Sequence, residues 1–124
     1  MTGEGNNYII QTHSLSFRYS KSKLVLDDLS INVPKGSIYG FLGPNGSGKS
    51  TTMRLLTGII PEKGKSIRLF NKLLEEQLPS VFTKIGSLVE SPALYLHLSG
   101  VDNLKYIAKL RNIPENKIHE FLEL

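Results

Sequence analysis

The residues best placed to do chemistry lie in "FLGPNGSGKST", residues 41–51. Gly43, Gly48, Lys49 and Ser50 follow the spacing G-x-x-x-x-G-K-S. Glycine has no Cβ, so such a loop can curl until successive amide N–H groups face one concavity. A phosphate held there accepts several backbone hydrogen bonds and faces the positive end of the helix that follows. Lys49 brings an ammonium to the β- and γ-phosphates, and the Ser50 hydroxyl is a ligand for Mg²⁺. Pro44, Asn45, Gly46 and Ser47 between the two outer glycines, and Thr51 after Ser50, complete the expected cradle. The predicted chemistry is binding of a nucleoside phosphate with a divalent cation.

A phosphate loop works between a strand that delivers it and a helix that receives it. Upstream, "SIYGFLG" (37–43) is an almost continuous apolar run, the pattern of a strand buried on both faces. Downstream, "KSTTMRLLTG" puts Met53 and Leu56 three residues apart on one helical face, and Gly58 supplies a C-terminal stop. Leu15, Phe17 and Tyr19 alternate in one strand, and Leu29, Ile31 and Val33 in a second. "PKG" (34–36) then turns into the 37–43 strand and predicts an antiparallel hairpin between it and the 29–33 strand. "IRLF" reads as a short strand, "NKLLEEQLPSVF" as a polar connector with a helical turn, and "KIGSLVE" as a second buried strand. Ser99 and Asp102 have N-cap spacing before a helix in "NLKYIAKLRN", and Pro114 suits the first position of a final helix.

The chain has 124 residues, enough for one domain at most, since domains usually run to roughly 100–150 residues. An apolar fraction of 40% supports a modest core. The absence of cysteine excludes disulfides, zinc–thiolate sites and cysteine nucleophiles. No apolar run approaches the roughly 18 residues that span a bilayer, and "MTGEGNNY" lacks the regions of a secretory signal. A soluble chain is expected, with any membrane role acting through a partner. The net charge of +4 is dispersed, with local enrichment only in "RYSKSK" and "EKGKSIR", so solvated loops are expected and not a nucleic-acid face. His13, His97 and His119 show no metal-ligand spacing.

Taken together, these residues resemble the N-terminal half of an ATP-binding cassette, the nucleotide-binding subunit of a membrane transporter. The resemblance runs from about Leu15 to the C-terminus. It is carried by "GPNGSGKST", by "KGSIYGFLG", by "LLTGIIPEKGKSIRLFNK" and by "LSGVDNLKYIAKL". It implies an α/β fold: a P-loop NTPase core (strand, P-loop, helix) with an antiparallel β subdomain and the start of a helical subdomain, an incomplete cassette. The corresponding organisation is a disordered tail over 1–7 and a domain over 8–124. Within it, 8–98 forms the β-rich and P-loop core and 99–124 opens the helical subdomain.

The resemblance also assigns residues. Tyr19 occupies the position of the aromatic that stacks on adenine, although it also reads as a strand residue in line with Phe17. Glu90, after "KIGSLV", stands where most cassettes carry a glutamine that ligates Mg²⁺. Glutamate there is usual in a bacterial branch that handles bacitracin-type and lantibiotic peptides. A carboxylate oxygen suits a hard cation, and the alternative is a solvent-facing loop residue. ATP and Mg²⁺ are the implied cofactors, with Ser50 and Glu90 as metal ligands. The implied partners are a transmembrane permease subunit and a second cassette, with the chain held at the inner face of the cell membrane.

The family's signature loop, Walker B carboxylates and switch histidine are not visible, and no residue is assigned as catalytic. "LVLDD" (24–28) imitates a Walker B strand but precedes the phosphate loop, and "LSG" (98–100) lacks the rest of a signature. Three functions compete: an ATP-binding subunit of a transporter, a truncated cassette that binds nucleotide without turnover, and a P-loop enzyme outside transport such as a kinase. Tyr19 and "GPNGSGKST" disfavour the third. By itself the chain is expected to bind ATP weakly and not to hydrolyse it.

Overall fold

The computed structural model describes residues 7–21 and 23–123. The tail expected over 1–7 lies outside them except for Asn7, whose carbonyl accepts from the Lys35 amide at 2.8 Å. The chain forms two compact units, one ending at Val89 and the other beginning at Glu90.

The first unit is built on strands β1 (Tyr8–Phe17) and β2 (Leu26–Pro34), which pair antiparallel. The register matches Ile10 with Val33, Thr12 with Ile31, and Phe17 with Leu26, and it shifts between Thr12 and Leu15. At that irregularity Thr12 Oγ1 donates to the Leu29 carbonyl at 2.8 Å and accepts from the Ile31 amide at 3.1 Å. One buried hydroxyl thus serves two backbone groups across the two strands. β3 (Ile67–Leu69) pairs with the other edge of β1, and β4 (Lys72–Leu73) with β3, giving the order β2-β1-β3-β4.

Helix α1 (Lys49–Leu56) buries Thr51, Thr52, Leu55 and Leu56. Leu55 and Leu56 join Leu15, Leu26, Ile67, Leu69, Leu74 and Val81 in one apolar cluster. The apolar pair expected on one helical face is therefore corrected: Leu56 is buried, but Met53 is 39% exposed. Two threonines are buried in its place, Thr51 and Thr52, and Thr52 Oγ1 donates to the Gly48 carbonyl at 2.9 Å. Gly58 ends the helix as expected, at φ +71° and with its amide on the Leu55 carbonyl. Past β4, two short 3₁₀ turns (Glu75–Gln77 and Ser80–Lys84) fill the connector.

Two expected strands are absent as strands. Residues 37–43 and 85–89 have no ladder partner among the described residues, and the hairpin expected between 29–33 and 37–43 does not form. β2 is a terminal strand of the sheet, paired with β1 on one edge, and residues 37–43 do not take up its other edge. Ile38 and Leu42 are consequently 105% and 95% exposed. An apolar run marks a strand fit for burial on both faces, but it is buried only when it is paired into a sheet whose two faces are covered.

The second unit contains α2 (Gly100–Leu110) and α3 (Asn116–Leu122). Ser99 caps α2 as its spacing predicts: its Oγ accepts from the Asp102 amide at 3.1 Å and donates to Asp102 Oδ2 at 2.7 Å. Buried Asn103 ties the preceding loop to the helix, accepting from the Tyr95 amide and donating to the carbonyls of Tyr95, Leu98 and Ser99. Pro114 lies just ahead of α3 instead of opening it, and its carbonyl accepts from the Lys117 amide at 3.1 Å.

The Thr12 hydroxyl gives a direct test of the sheet. Thr12→Val keeps the shape but leaves the Leu29 carbonyl and Ile31 amide without that partner. Thermal or denaturant melts should show a loss of about 1–3 kcal/mol, and Thr12→Ser should lose much less.

Candidate phosphate-binding site

The loop before α1 owes its shape to three glycines, each for a different reason. Gly46 has φ +81° with open space where a Cβ would stand, so only its backbone conformation requires glycine. Gly43 has ordinary φ, but a Cβ there would come within 2.6 Å of Ser47 Oγ. Gly48 is constrained twice: φ is +97°, and a Cβ would meet Leu26 Cδ2 at 2.5 Å and the Val25 carbonyl at 3.0 Å. The α-carbon at the mouth of the helix therefore rests directly on the first residue of β2.

A turn closes within the loop, with the Ser47 amide donating to the Pro44 carbonyl at 3.1 Å. Gly48 is the N-cap of α1 in left-handed backbone and offers no side-chain cap. The intrahelical ladder opens with the Thr52 amide on the Gly48 carbonyl at 2.9 Å. The amides of Gly48, Lys49, Ser50 and Thr51 precede that first bond, as the first four of any helix do, and have no intrahelical acceptor. Donors without an acceptor at the positive end of a helix are what an anion requires. No acidic side chain lies in the first turn to compete for it.

Lys49 bends back over the loop. Its Nζ donates to the Gly43 carbonyl, to the Pro44 carbonyl at 2.8 Å and to Ser47 Oγ at 3.3 Å. An ammonium has three donors, and all three are spent on the loop it belongs to. A phosphate seated there would exchange with these acceptors for a charge already positioned above the cradle. Ser50 is exposed beside it on the first turn. Among the described residues, no group of three or more His, Cys, Asp or Glu could hold a metal ion. The Ser50 hydroxyl is an oxygen donor of the kind a hard cation such as Mg²⁺ accepts.

Tyr19 lies beyond the end of β1 and is 53% exposed, so it is not a core-facing strand residue. Its hydroxyl is 3.1 Å from Thr51 Oγ1, and its ring meets Phe17 edge to face at 5.1 Å. The structure thus brings Tyr19 to the helix that carries Lys49, Ser50 and Thr51. Glu90 is the first residue of the second unit, exposed and in left-handed backbone at φ +71°. Arg54, which donates to the Tyr19 hydroxyl at 3.3 Å, was not marked by any motif. Its spacing of three from Thr51, on the same helical face, was the available signal.

The ABC transporter family profile matches residues 26–124. The bacitracin transport ATP-binding protein BcrA of Bacillus licheniformis is 42% identical over 117 residues, covering 94% of this chain and 38% of that protein. BcrA of Enterococcus faecalis is 35% identical over 118 residues, again 94% and 38%. The lantibiotic transport ATP-binding protein SrtF of Streptococcus pyogenes is 36% identical over 110 residues, 89% of this chain and 46% of that one. The chain therefore spans less than half the length of the curated relatives it matches.

Alanine at two of the glycines separates their roles. Gly46→Ala should cost about 1–2 kcal/mol from its left-handed backbone alone. Gly48→Ala should cost roughly 1–3 kcal/mol more, because Leu26 and Val25 must also move. Denaturant melts of the two variants would show it, and equal losses would contradict the contact with β2.

Proposed function

This chain belongs to the ABC transporter family, and from that membership we propose that it is the nucleotide-loading portion of an ATP-binding subunit that powers transport across a membrane. The supporting observation is the loop itself: first-turn amides of α1 at Gly48–Thr51 without intrahelical acceptors, with the Lys49 ammonium folded over the same cradle. Lys49 and these amides bind and orient the phosphates. The Ser50 hydroxyl ligates Mg²⁺ together with phosphate oxygens, and Glu90 supplies a carboxylate to the same cation directly or through water. Pro44, Asn45, Gly46 and Ser47 shape the cradle between Gly43 and Gly48, and the Tyr19 ring stacks on adenine. Bound ATP supplies the phosphoanhydride whose cleavage drives the cycle.

The cargo we propose is a peptide antibiotic, because the relatives are named for bacitracin and lantibiotic transport and Glu90 fits that branch. No helix among the described residues is long and apolar enough to cross a membrane. The membrane passage is assigned to a permease subunit, which would hold this chain at the inner face of the cell membrane, and a second cassette completes the nucleotide site. Nucleic acid has no part in this reading. Hydrolysis needs a carboxylate that orients the attacking water. Asp27 and Asp28 lie in β2 and Asp102 serves the cap of α2, so binding without turnover is the proposed behaviour of these residues alone.

Lys49→Ala should weaken Mg-ATP binding at least about tenfold, a loss of roughly 1.4 kcal/mol, in an equilibrium titration with a fluorescent ATP analogue. Unchanged affinity in a folded variant would remove the proposal. For Glu90, the comparison is with and without magnesium. Glu90→Ala should weaken Mg-ATP more than metal-free ATP, whereas Glu90→Gln should preserve both, and equal losses under the two conditions would exclude the metal role.

A further inference from the structure

Tyr19 is held by its tip. Its hydroxyl lies 3.1 Å from Thr51 Oγ1 and accepts from Arg54 Nη1 at 3.3 Å. A phenol oxygen can accept from a guanidinium while giving its own proton to a threonine oxygen, so both bonds can stand together. Thr51 and Arg54 are three residues apart in α1 and present neighbouring groups on one face. Thr51 is buried, which fixes one end of this arrangement to the body of the helix.

Tyr19 follows the last residue of β1 by two positions. β1 ends at Phe17, and the loop that follows is closed by the Val25 amide on the Phe17 carbonyl at 2.8 Å. Tyr19 sits inside that loop. Side-chain contacts bear on the plane of its ring: the edge of Phe17 at an interplanar angle of 84°, and the two hydrogen bonds at the hydroxyl. Stacking depends on that plane, because a ring that must first be ordered loses affinity to the entropy of ordering it. A guanidinium suits the task better than an ammonium, since its donors leave in fixed directions.

We infer that Arg54 is a positioning residue for the nucleotide base, fixing the plane of the Tyr19 ring on which adenine stacks. This rests on the stacking role proposed for Tyr19. Arg54 acts through Tyr19, so its contribution belongs to the base and not to the phosphates. The same geometry gives the Tyr19 hydroxyl a purpose that stacking alone does not require.

The test compares affinity for Mg-ATP with affinity for magnesium tripolyphosphate, which keeps the phosphates and lacks the base. Arg54→Met should weaken Mg-ATP about three- to tenfold, the scale of one lost hydrogen bond. Tyr19→Phe should weaken it at least as much because it also removes the bond to Thr51, and both should leave tripolyphosphate unchanged. The double variant should bind ATP no more weakly than Tyr19→Phe alone, because that change already removes the bond to Arg54. Arg54→Lys should recover part of the loss. Unchanged ATP affinity in Arg54→Met, additive losses in the double variant, or equal losses for ATP and tripolyphosphate would each overturn the inference. Tyr19→Ala tells which reading has failed. A selective loss of ATP in Tyr19→Ala beside an unaffected Arg54→Met removes only the role of Arg54, whereas no selective loss in Tyr19→Ala removes the stacking role and this inference with it.

Discussion

The arrangement depends on the contact between the bare α-carbon of Gly48 and the side chain of Leu26. Leu26 is the first residue of β2 and is buried in the same cluster as Leu15, Leu55 and Leu56. Gly48 is the N-cap of α1 and the last glycine of the phosphate loop. One approach thus joins core, strand and loop, and it requires both the absence of a Cβ and a left-handed backbone. From it follow the start of the helix at Lys49, the direction of the first-turn amides, and the short reach from the Lys49 ammonium back to the carbonyls of Gly43 and Pro44. The anion-binding role proposed for the loop follows from how the helix is seated on β2.

Much of this was legible in the chain because it is local. The glycine spacing announces backbone that must leave the ordinary regions, and Gly46, Gly48 and Gly58 all have positive φ. Ser99 and Asp102 form the cap their spacing predicts. The misreadings have non-local causes. Thr51 and Thr52 are polar by type, yet they occupy the buried face because their hydroxyls bond to Tyr19 and to the Gly48 carbonyl. Met53 gave way to them. The link from Tyr19 to Arg54 joins residues 35 positions apart, which no short-range pattern can report. The run at 37–43 has the composition of a buried strand, but a strand is defined by its partners, and no strand among the described residues pairs with this run.

The exposed apolar segments fit the same physical picture. Ile38 and Leu42 in one, and Leu88 in the other, are exposed large hydrophobic residues. Side chains of this kind on both faces of a segment call for neighbours on both sides, whichever chain provides them. The relatives named above are more than twice as long as the stretch they share with this chain. The phosphate loop stands apart from this requirement, since its geometry is fixed by Leu26, Ser47 and the first turn of α1, all within the first unit.

The central claim is that the loop between Gly43 and Thr51 takes the phosphates of ATP and that Tyr19 takes its base. Amide chemical shifts of the isotope-labelled chain, followed through a titration with Mg-ATP, test this residue by residue. The account predicts that the largest changes fall on Gly46, Gly48, Lys49, Ser50 and Thr51, with Tyr19 shifting for ATP and remaining still for magnesium tripolyphosphate. Changes spread over exposed lysines such as Lys105 and Lys117, with the loop amides unmoved, would contradict it.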